Sequence, residues 1–248
     1  MGRFSVIQKY LKHYFTAPCC EICHGRLTPN ENGLCTSCST SILHLSSPED
    51  PYDEEFLSDL CSQTARLFWG IAPVERAGVL AVYQADTPVT ELLVDIKYRQ
   101  HHDLCRLLGR MLAVRFRSRC FFDGIDLIVP VPLSRERYRK RGYNQSEQIA
   151  NGVGEIADLP VVTDAVVREV DNVSQTRLAE QVRRLNVEGI FRVVRPEALD
   201  GRHLLIIDDV ITTGATIGEL MQSIQLVAPR ATFSVLAVAH EQPAFSVL

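Results

Sequence analysis

Two adjacent carboxylates, Asp208 and Asp209, follow the short apolar run 204–207 and precede a turn that contains threonine and glycine. The apolar run predicts a strand buried on both faces of a parallel sheet, and apolar residues at helical spacing over 217–224 predict a helix behind the turn. Two charged groups next to a buried strand cost free energy unless they are paired or bind a ligand. Because ligands bind at the carboxyl ends of parallel strands, this order predicts a ligand site.

The turn after the acidic pair has the composition of a phosphate-binding loop. Backbone N–H groups of a glycine-containing turn at a helix N-terminus, with hydroxyls beside them, can hold a phosphate. No lysine follows the glycine, so the Walker pattern is excluded and a single monophosphate fits best. Asp208 and Asp209 can accept hydrogen bonds from ribose hydroxyls and help to hold hydrated Mg²⁺. The inferred ligand is a 5-phosphorylated ribose, and the predicted phosphate loop comprises Thr212, Thr213, Gly214, Ala215 and Thr216. The plainer alternative is a polar turn in which one acid caps the helix.

A cationic segment over 134–145, which we expect to be a loop, follows another apolar run, 125–132, which predicts a second buried strand. In a parallel sheet this segment lies at the same edge as the acidic pair. Positive charge there suits a pyrophosphate leaving group, whose departure requires charge neutralisation. The alternative is a solvated surface. The candidate basic residues for this role are Arg135 and Arg141.

Two other basic or polar features are candidates for phosphate contact. Lys97 ends a predicted helix, where it either complements the helix dipole or contacts a phosphate. The polar segment 172–186, with Gln175, Arg177 and Arg184, is either a lid over the ligand or a surface helix. Both interpretations of each feature stay open.

Four cysteines near the N-terminus have metal-ligand spacing. Cys20 and Cys23 form one C-x-x-C pair, and Cys35 and Cys38 form a second after eleven intervening residues. This pattern predicts a tetrahedral zinc site with four thiolates, which is structural because no position is open to substrate. The adjacent Cys19 is an alternative to Cys20. The predicted zinc ribbon is either a small scaffold or a contact surface for nucleic acid or protein.

The whole chain has 248 residues, with 46% hydrophobic and 23% charged, which is ordinary globular composition. Its net charge of −4 does not argue for nucleic-acid binding by the whole chain. No apolar run approaches the ~18 residues of a membrane span. Charged residues interrupt the first fifteen positions, so they do not predict a signal peptide and we expect a cytoplasmic protein.

The elements divide into three predicted regions: an N-terminal helix and zinc ribbon over 1–45, an acidic linker and helix over 46–73, and an α/β domain over 74–248. Residues 3–15 have the spacing of an amphipathic helix, and the acidic, proline-containing stretch 46–59 predicts a solvated connector. The alternation of strands and helices after residue 74 predicts a parallel sheet with helices on its faces.

Several motifs together resemble the ComF family of phosphoribosyltransferase-like proteins of bacterial competence and DNA utilisation. They are the double C-x-x-C ribbon, IKY with Lys97, VPVPLSRERYRKRGYNQ, SQTRL, RRLNVEGIF and IIDDVITTGAT. The last motif also has the form of the phosphoribosyl-pyrophosphate (PRPP) motif of type I phosphoribosyltransferases. The resemblance implies a type I phosphoribosyltransferase-like fold, ribose binding by Asp208 and Asp209, 5-phosphate binding by 212–216, and a pyrophosphate loop at 130–133.

The resemblance does not identify a catalytic residue. Purine-salvage members of the wider superfamily carry an aspartate four places after the first acid, and Thr212 stands there in this chain. Two functions therefore remain open: a Mg²⁺-dependent enzyme that transfers the phosphoribosyl group of PRPP, or a module that only binds PRPP or a nucleoside monophosphate. In the second case the zinc ribbon contacts single-stranded DNA or a DNA-uptake or processing protein. The acceptor substrate and the oligomeric state are not predicted.

Overall fold

The computed structural model of this protein describes residues 18–20, 23, 25–31, 33–43, 54–83, 88–98, 101–169 and 189–241. The predicted N-terminal helix over 3–15 and the lid candidates Gln175, Arg177 and Arg184 lie outside the described residues. Among the helices in the described ranges, none is both long and apolar enough to cross a membrane.

The described residues form six strands and seven α-helices. The strands are β1 (Val74–Tyr83), β2 (Leu127–Pro130), β3 (Val166–Arg168), β4 (Phe191–Val193), β5 (His203–Ile211) and β6 (Thr232–Glu241). The helices are α1 (Thr36–Leu43), α2 (Glu54–Arg66), α3 (Pro88–Tyr98), α4 (His102–Arg117), α5 (Arg135–Arg141), α6 (Gln145–Ala157) and α7 (Ala215–Val227). The main sheet has the order β1-β6-β5-β2 with every pair parallel, and β3 and β4 form a separate antiparallel ribbon.

Strand β5 lies inside the main sheet and is buried on both faces, as its continuous apolar run predicts. Leu205 and Ile207 join the core that packs against α3, α4 and α6, whereas Leu204 and Ile206 join the core that packs against α7. The alternation follows from the two-residue period of side chains along a strand. The predicted fold class, a parallel sheet with flanking helices, is confirmed; the division at residue 74 stays a prediction.

Strand β5 is longer than predicted, because it continues through both acids to Ile211. The neighbouring β6 runs beside this extension and pairs Asp208 with Ala237 and Val210 with Ala239. On its other side, β2 ends at Pro130 opposite Ile207. The two acids therefore lie on a part of β5 that pairs with β6 on one side and extends past the end of β2 on the other.

The expectation of a solvated connector over 46–59 is wrong for its last part, because α2 begins at Glu54. Leu57 and Leu60 are buried at helical spacing, and this packing outweighs the acidic composition. Glu54 and Glu55 occupy the first turn, where negative charge is favourable beside the helix dipole.

The cationic segment expected as a loop is also mostly helical, because α5 spans Arg135–Arg141. The Ser134 side chain accepts a hydrogen bond from the Arg137 N–H at 3.3 Å and so caps the start of the helix. Gly142 ends it with φ of 81°, a conformation that favours glycine. The basic side chains therefore project from a short helix and not from an irregular loop.

Helices α4 and α6 approach each other unusually closely at two glycines. A Cβ atom built on Gly109 would lie 2.0 Å from the Ile149 carbonyl oxygen, and one built on Gly152 would lie 2.0 Å from the Arg106 carbonyl oxygen. This close packing fixes the position of α6, whose first turn reaches the acidic pair.

Candidate functional site

The acidic pair lies at the carboxyl edge of the sheet, where side chains from two helices and the backbone of the pair itself contact it. The Ser146 hydroxyl, from the first turn of α6, donates a hydrogen bond to Asp208 Oδ1 at 2.8 Å. The backbone N–H of Asp209 donates to the same oxygen at 2.9 Å. Lys97, near the end of α3, places its Nζ 3.4 Å from Asp209 Oδ2. The three contacts hold the two carboxylates in place.

The environment of Asp208 disfavours its charged form. Burial, followed by the negative charge of Asp209, raises the pKa of Asp208 to about 7, while the hydrogen bond from Ser146 and the charge of Lys97 act in the opposite direction. Asp208 therefore holds a proton more readily than an ordinary carboxyl group does. A bound cation would displace that proton.

A cavity of about 160 Å³ opens in front of the acidic pair. Five residues predicted for phosphate contact, apart from the acids, line it: Lys97, Val131, Leu133, Arg141 and Thr216. Arg137 also lines this cavity, so its lining contains both positive and negative side chains. The structure places two other predicted residues, Pro132 and Arg135, in a neighbouring, larger cavity.

The predicted phosphate loop adjoins this cavity. Gly214 has φ of 73° and immediately precedes the first turn of α7. A side chain there would be strained, and its Cβ would lie 3.1 Å from Phe68 and 3.2 Å from Leu67, which pack behind the loop. The loop residues Thr212, Gly214, Ala215 and Thr216 line a recess of about 30 Å³ together with Asp208. That volume is about the share of one molecule in liquid water, so the recess is too small for a phosphate group. A phosphate would therefore lie on the loop and extend into the cavity in front of the acidic pair.

Sequence reasoning missed several residues of this site. Ser146 contacts Asp208, and the Gln145 side chain accepts from Arg141 at 3.0 Å and donates to the Ile96 carbonyl at 3.4 Å. This link connects the basic helix with the end of α3, next to Lys97. Arg168 of β3 also lines the cavity. The signal for Ser146 and Gln145 was their place in the first turn of a helix that follows the cationic segment.

The four predicted zinc ligands come together in the described residues. The Sγ atoms of Cys20, Cys23, Cys35 and Cys38 all lie within 4.8 Å of one another, and those of Cys23 and Cys35 are 3.7 Å apart. A tetrahedral zinc with Zn–S distances of about 2.3 Å separates its sulfurs by about 3.8 Å, so the group fits this metal. The cluster uses Cys20 and not the exposed Cys19.

Without a positive ion, the cluster favours protonated thiols. Burial and the hydrogen bond with Cys35 raise the pKa of Cys38. Zinc would stabilise the thiolates and so release protons on binding. With four sulfur donors, the site leaves no position for a substrate.

Comparison with solved structures gives several partial similarities, including the following two. One is to the allosteric regulatory enzyme of purine biosynthesis, with 18% identity, a TM-score of 0.39, and coverage of 54% of this chain and 25% of that one. The other is to glutamine PRPP amidotransferase from B. subtilis complexed with ADP and GMP, with 16% identity, a TM-score of 0.37, and coverage of 54% and 26%. This chain thus spans about a quarter of each of those proteins.

Comparison with curated proteins gives relatives that match most of the chain. The DNA utilization protein YhgH of Escherichia coli K12 is 27% identical over 206 residues, which are 82% of each chain. Competence protein F of Haemophilus influenzae is 26% identical over 211 residues, 81% of this chain and 88% of the relative. Competence protein ComFC of Bacillus subtilis is 28% identical over 137 residues, 55% of this chain and 53% of the relative. No protein-family model matches the chain. The predicted resemblance to the ComF family is confirmed: over about four-fifths of its length, this chain is similar to proteins named for competence and DNA utilization.

Proposed function

We propose that this chain is a cytoplasmic protein that binds PRPP together with Mg²⁺ in the cavity at Asp208 and Asp209. The observation that carries the proposal is the presence of both acids and arginines in the lining of this cavity. Asp208 and Asp209 line it together with Arg137 and Arg141. A ligand that presents hydroxyls to the acids and phosphate oxygens to the arginines satisfies both groups at once.

Each part of PRPP has a matching group in this site. The ribose hydroxyls donate to Asp208 and Asp209, and the 5-phosphate accepts from backbone N–H groups and threonine hydroxyls of 212–216. The pyrophosphate contacts 131–133 and the guanidinium of Arg141. Lys97 balances the acidic pair or contacts a phosphate oxygen. The two carboxylates offer the oxygen ligands that Mg²⁺ prefers.

The corresponding reaction breaks the bond between C1 of the ribose and the pyrophosphate oxygen, and both electrons of the bond leave with pyrophosphate. Arg137 and Arg141 would stabilise the negative charge on the leaving group. Mg²⁺, when bound, would neutralise part of the same charge. The carboxylates would favour the positive charge that develops on the ribose. The nucleophile that then bonds to C1 is not assigned.

A second candidate function is binding of PRPP or a nucleoside monophosphate without turnover. The names of the relatives, which refer to DNA utilization and competence, favour a role in which the chain contacts single-stranded DNA or a DNA-processing protein. The closed four-cysteine ribbon would provide that contact surface, and the PRPP cavity would then act as a sensor.

The experiment that separates the two functions measures pyrophosphate release from PRPP and Mg²⁺ with a panel of bases and amines. The enzyme predicts release that depends on an acceptor and that the Asp208→Asn/Asp209→Asn variant loses. Lys140→Ala is a matched control, since it removes one charge from α5 without touching the cavity. Saturable PRPP binding without release on any acceptor would instead support the binding module.

A further inference from the structure

A second and larger cavity, of about 600 Å³, lies between α5 and the β3–β4 ribbon. We name it the arginine cavity, because Arg135, Arg139, Arg168 and Arg192 all line it. Its volume falls in the range of about 300–1,000 Å³ that is usual for small-molecule sites. Arg168 also lines the smaller cavity in front of the acidic pair, so the two cavities are neighbours.

Helix α5 divides its side chains between the two cavities. Arg135, Tyr138 and Arg139, at positions i, i+3 and i+4, line the arginine cavity. Arg137 and Arg141, which are also four positions apart, line the cavity of the acidic pair. One short basic segment therefore supplies cations to two separate spaces. The PRPP proposal accounts for only one of them.

The arginine cavity carries an excess of positive charge. Its acidic lining residues are Glu147 and Glu169, and the latter forms an ion pair with Arg192. Within the part of the chain that the structure describes, neither Arg135 nor Arg139 has an acidic side chain at ion-pair distance. Two guanidinium groups on adjacent turns of a helix match the spacing needed to hold one phosphate group.

The same cavity also offers an aromatic surface and an apolar wall. The Tyr138 side chain, on the cavity side of α5, is 51% exposed, and Val166 and Val167 of β3 lie in the lining. Exposed aromatic rings beside arginines are typical of surfaces on which bases stack. Glu147, half-buried in the same lining, has its pKa raised by burial. The Glu147 carboxyl group could accept a hydrogen bond from a donor on a nucleotide base.

We propose that the arginine cavity is a second ligand site, which binds a nucleotide with its phosphate on Arg135 and Arg139 and its base against Tyr138. This site is distinct from the PRPP cavity and does not depend on whether PRPP binds there. If both sites are occupied, Arg168 lies between the two ligands. The shared chemistry, a phosphate next to an aromatic base, is present both in a free nucleotide and in the end of a nucleic-acid strand.

Calorimetric titration with adenosine 3′-monophosphate tests this site. This probe lacks the 5-phosphate that the loop over 212–216 would need, so it does not fit the PRPP cavity. We expect saturable binding that weakens at least about tenfold in Arg139→Ala, as for the loss of a charge-assisted contact. We expect it to weaken about fivefold or more in Tyr138→Ala.

Three matched controls accompany these variants. Tyr138→Phe keeps the ring and should bind within about twofold of the unchanged protein, and so should Lys140→Ala, which removes a charge of the same helix outside both cavities. The Asp208→Asn/Asp209→Asn variant should also retain the probe. Adenosine and inorganic phosphate should each bind at least about tenfold more weakly than the probe, because each has only half of the contacts.

Absence of binding, or binding that the two α5 variants leave unchanged, would overturn the proposal. Loss of the probe in the acidic-pair variant alone would also overturn it, since the probe would then occupy the PRPP cavity. If PRPP fails to bind but the probe behaves as expected, only the proposed function fails. Tighter binding of a tetranucleotide than of the probe identifies a strand end as the ligand, and equal or weaker binding identifies a free nucleotide.

Discussion

Replacing Gly109 by alanine adds a methyl group where α4 meets α6, and its Cβ would lie 2.0 Å from the Ile149 carbonyl oxygen. An ordinary contact needs about 3.4 Å, so the helices must separate by more than 1 Å. The obstacle is backbone, which cannot turn away as a side chain can. Because Ser146 stands in the first turn of α6, the displacement would also move its hydroxyl away from Asp208.

The net loss in the free energy of unfolding should be about 2 kcal/mol. Overpacking costs about 1–3 kcal/mol or more, and a collision with backbone belongs at the upper end, whereas the better helix propensity of alanine returns about 1 kcal/mol. Urea denaturation measures the loss as a lower midpoint at an unchanged slope. Affinity for PRPP should fall in the same variant at a temperature where it remains folded.

Gly218→Ala is the matched control for this prediction. It is the same substitution inside a helix, but the added Cβ meets only side-chain methyl groups of Ile71, at 3.3 and 3.4 Å, and no backbone atom. Its effect should lie between no change and a gain of about 1 kcal/mol. Equal stability of Gly109→Ala and Gly218→Ala would refute the close approach of α4 and α6.

Three further predictions concern the metal cluster and the acidic pair. Purified protein should contain about one zinc ion per chain, and Cys20→Ser/Cys35→Ser should lose it; a metal-free variant with an unchanged melting curve would contradict a structural role. Affinity for PRPP with Mg²⁺ should rise by up to about tenfold per pH unit as the pH passes upward through the raised pKa of Asp208, since the proton must leave before a cation binds. Asp208→Asn should flatten that pH profile. A flat profile in the unchanged protein would argue against the need to deprotonate Asp208 before the cation binds. Ser146→Ala should raise the pKa of Asp208 further and shift the same profile to higher pH, because its hydrogen bond favours the carboxylate; an unshifted profile would exclude this contact.

The features that were predicted correctly depend on short-range signals. The apolar run before Asp208 requires a buried strand wherever it lies, and the turn around Gly214 requires a helix behind it. The two C-x-x-C pairs predict one group of four thiols, and the Sγ atoms of Cys20, Cys23, Cys35 and Cys38 do come together. Each of these signals lies in a short stretch of sequence, so no knowledge of the tertiary packing is needed.

The features that were missed depend on how distant elements meet. Composition alone suggested a loop for the cationic segment, whereas the structure has a helix between the caps at Ser134 and Gly142, and its arginines line two cavities. The sequence does not reveal which face of that helix meets which cavity. For this reason the place of Arg135 in the larger cavity could not be predicted. Ser146 reaches Asp208 from 62 positions away, through the packing of α6 against the sheet. No local pattern carries that information.

The protein has a natural reporter for its proposed ligand. Its single tryptophan, Trp69, directly follows Leu67 and Phe68, which pack behind Gly214 of the phosphate loop. Because Trp69 is joined directly to these two residues, we expect its fluorescence to change when a ligand moves that loop.

Titration of PRPP with Mg²⁺, followed by Trp69 fluorescence, therefore tests whether the acidic pair forms a PRPP site. We predict a saturable change in the unchanged protein and at least about tenfold weaker binding in Asp208→Asn/Asp209→Asn, because the ribose and cation contacts are lost together. Lys140→Ala should bind as the unchanged protein does. Saturable binding of PRPP with the same affinity in the double variant, or no binding to the unchanged protein, would contradict the claim that the acidic pair forms a PRPP site.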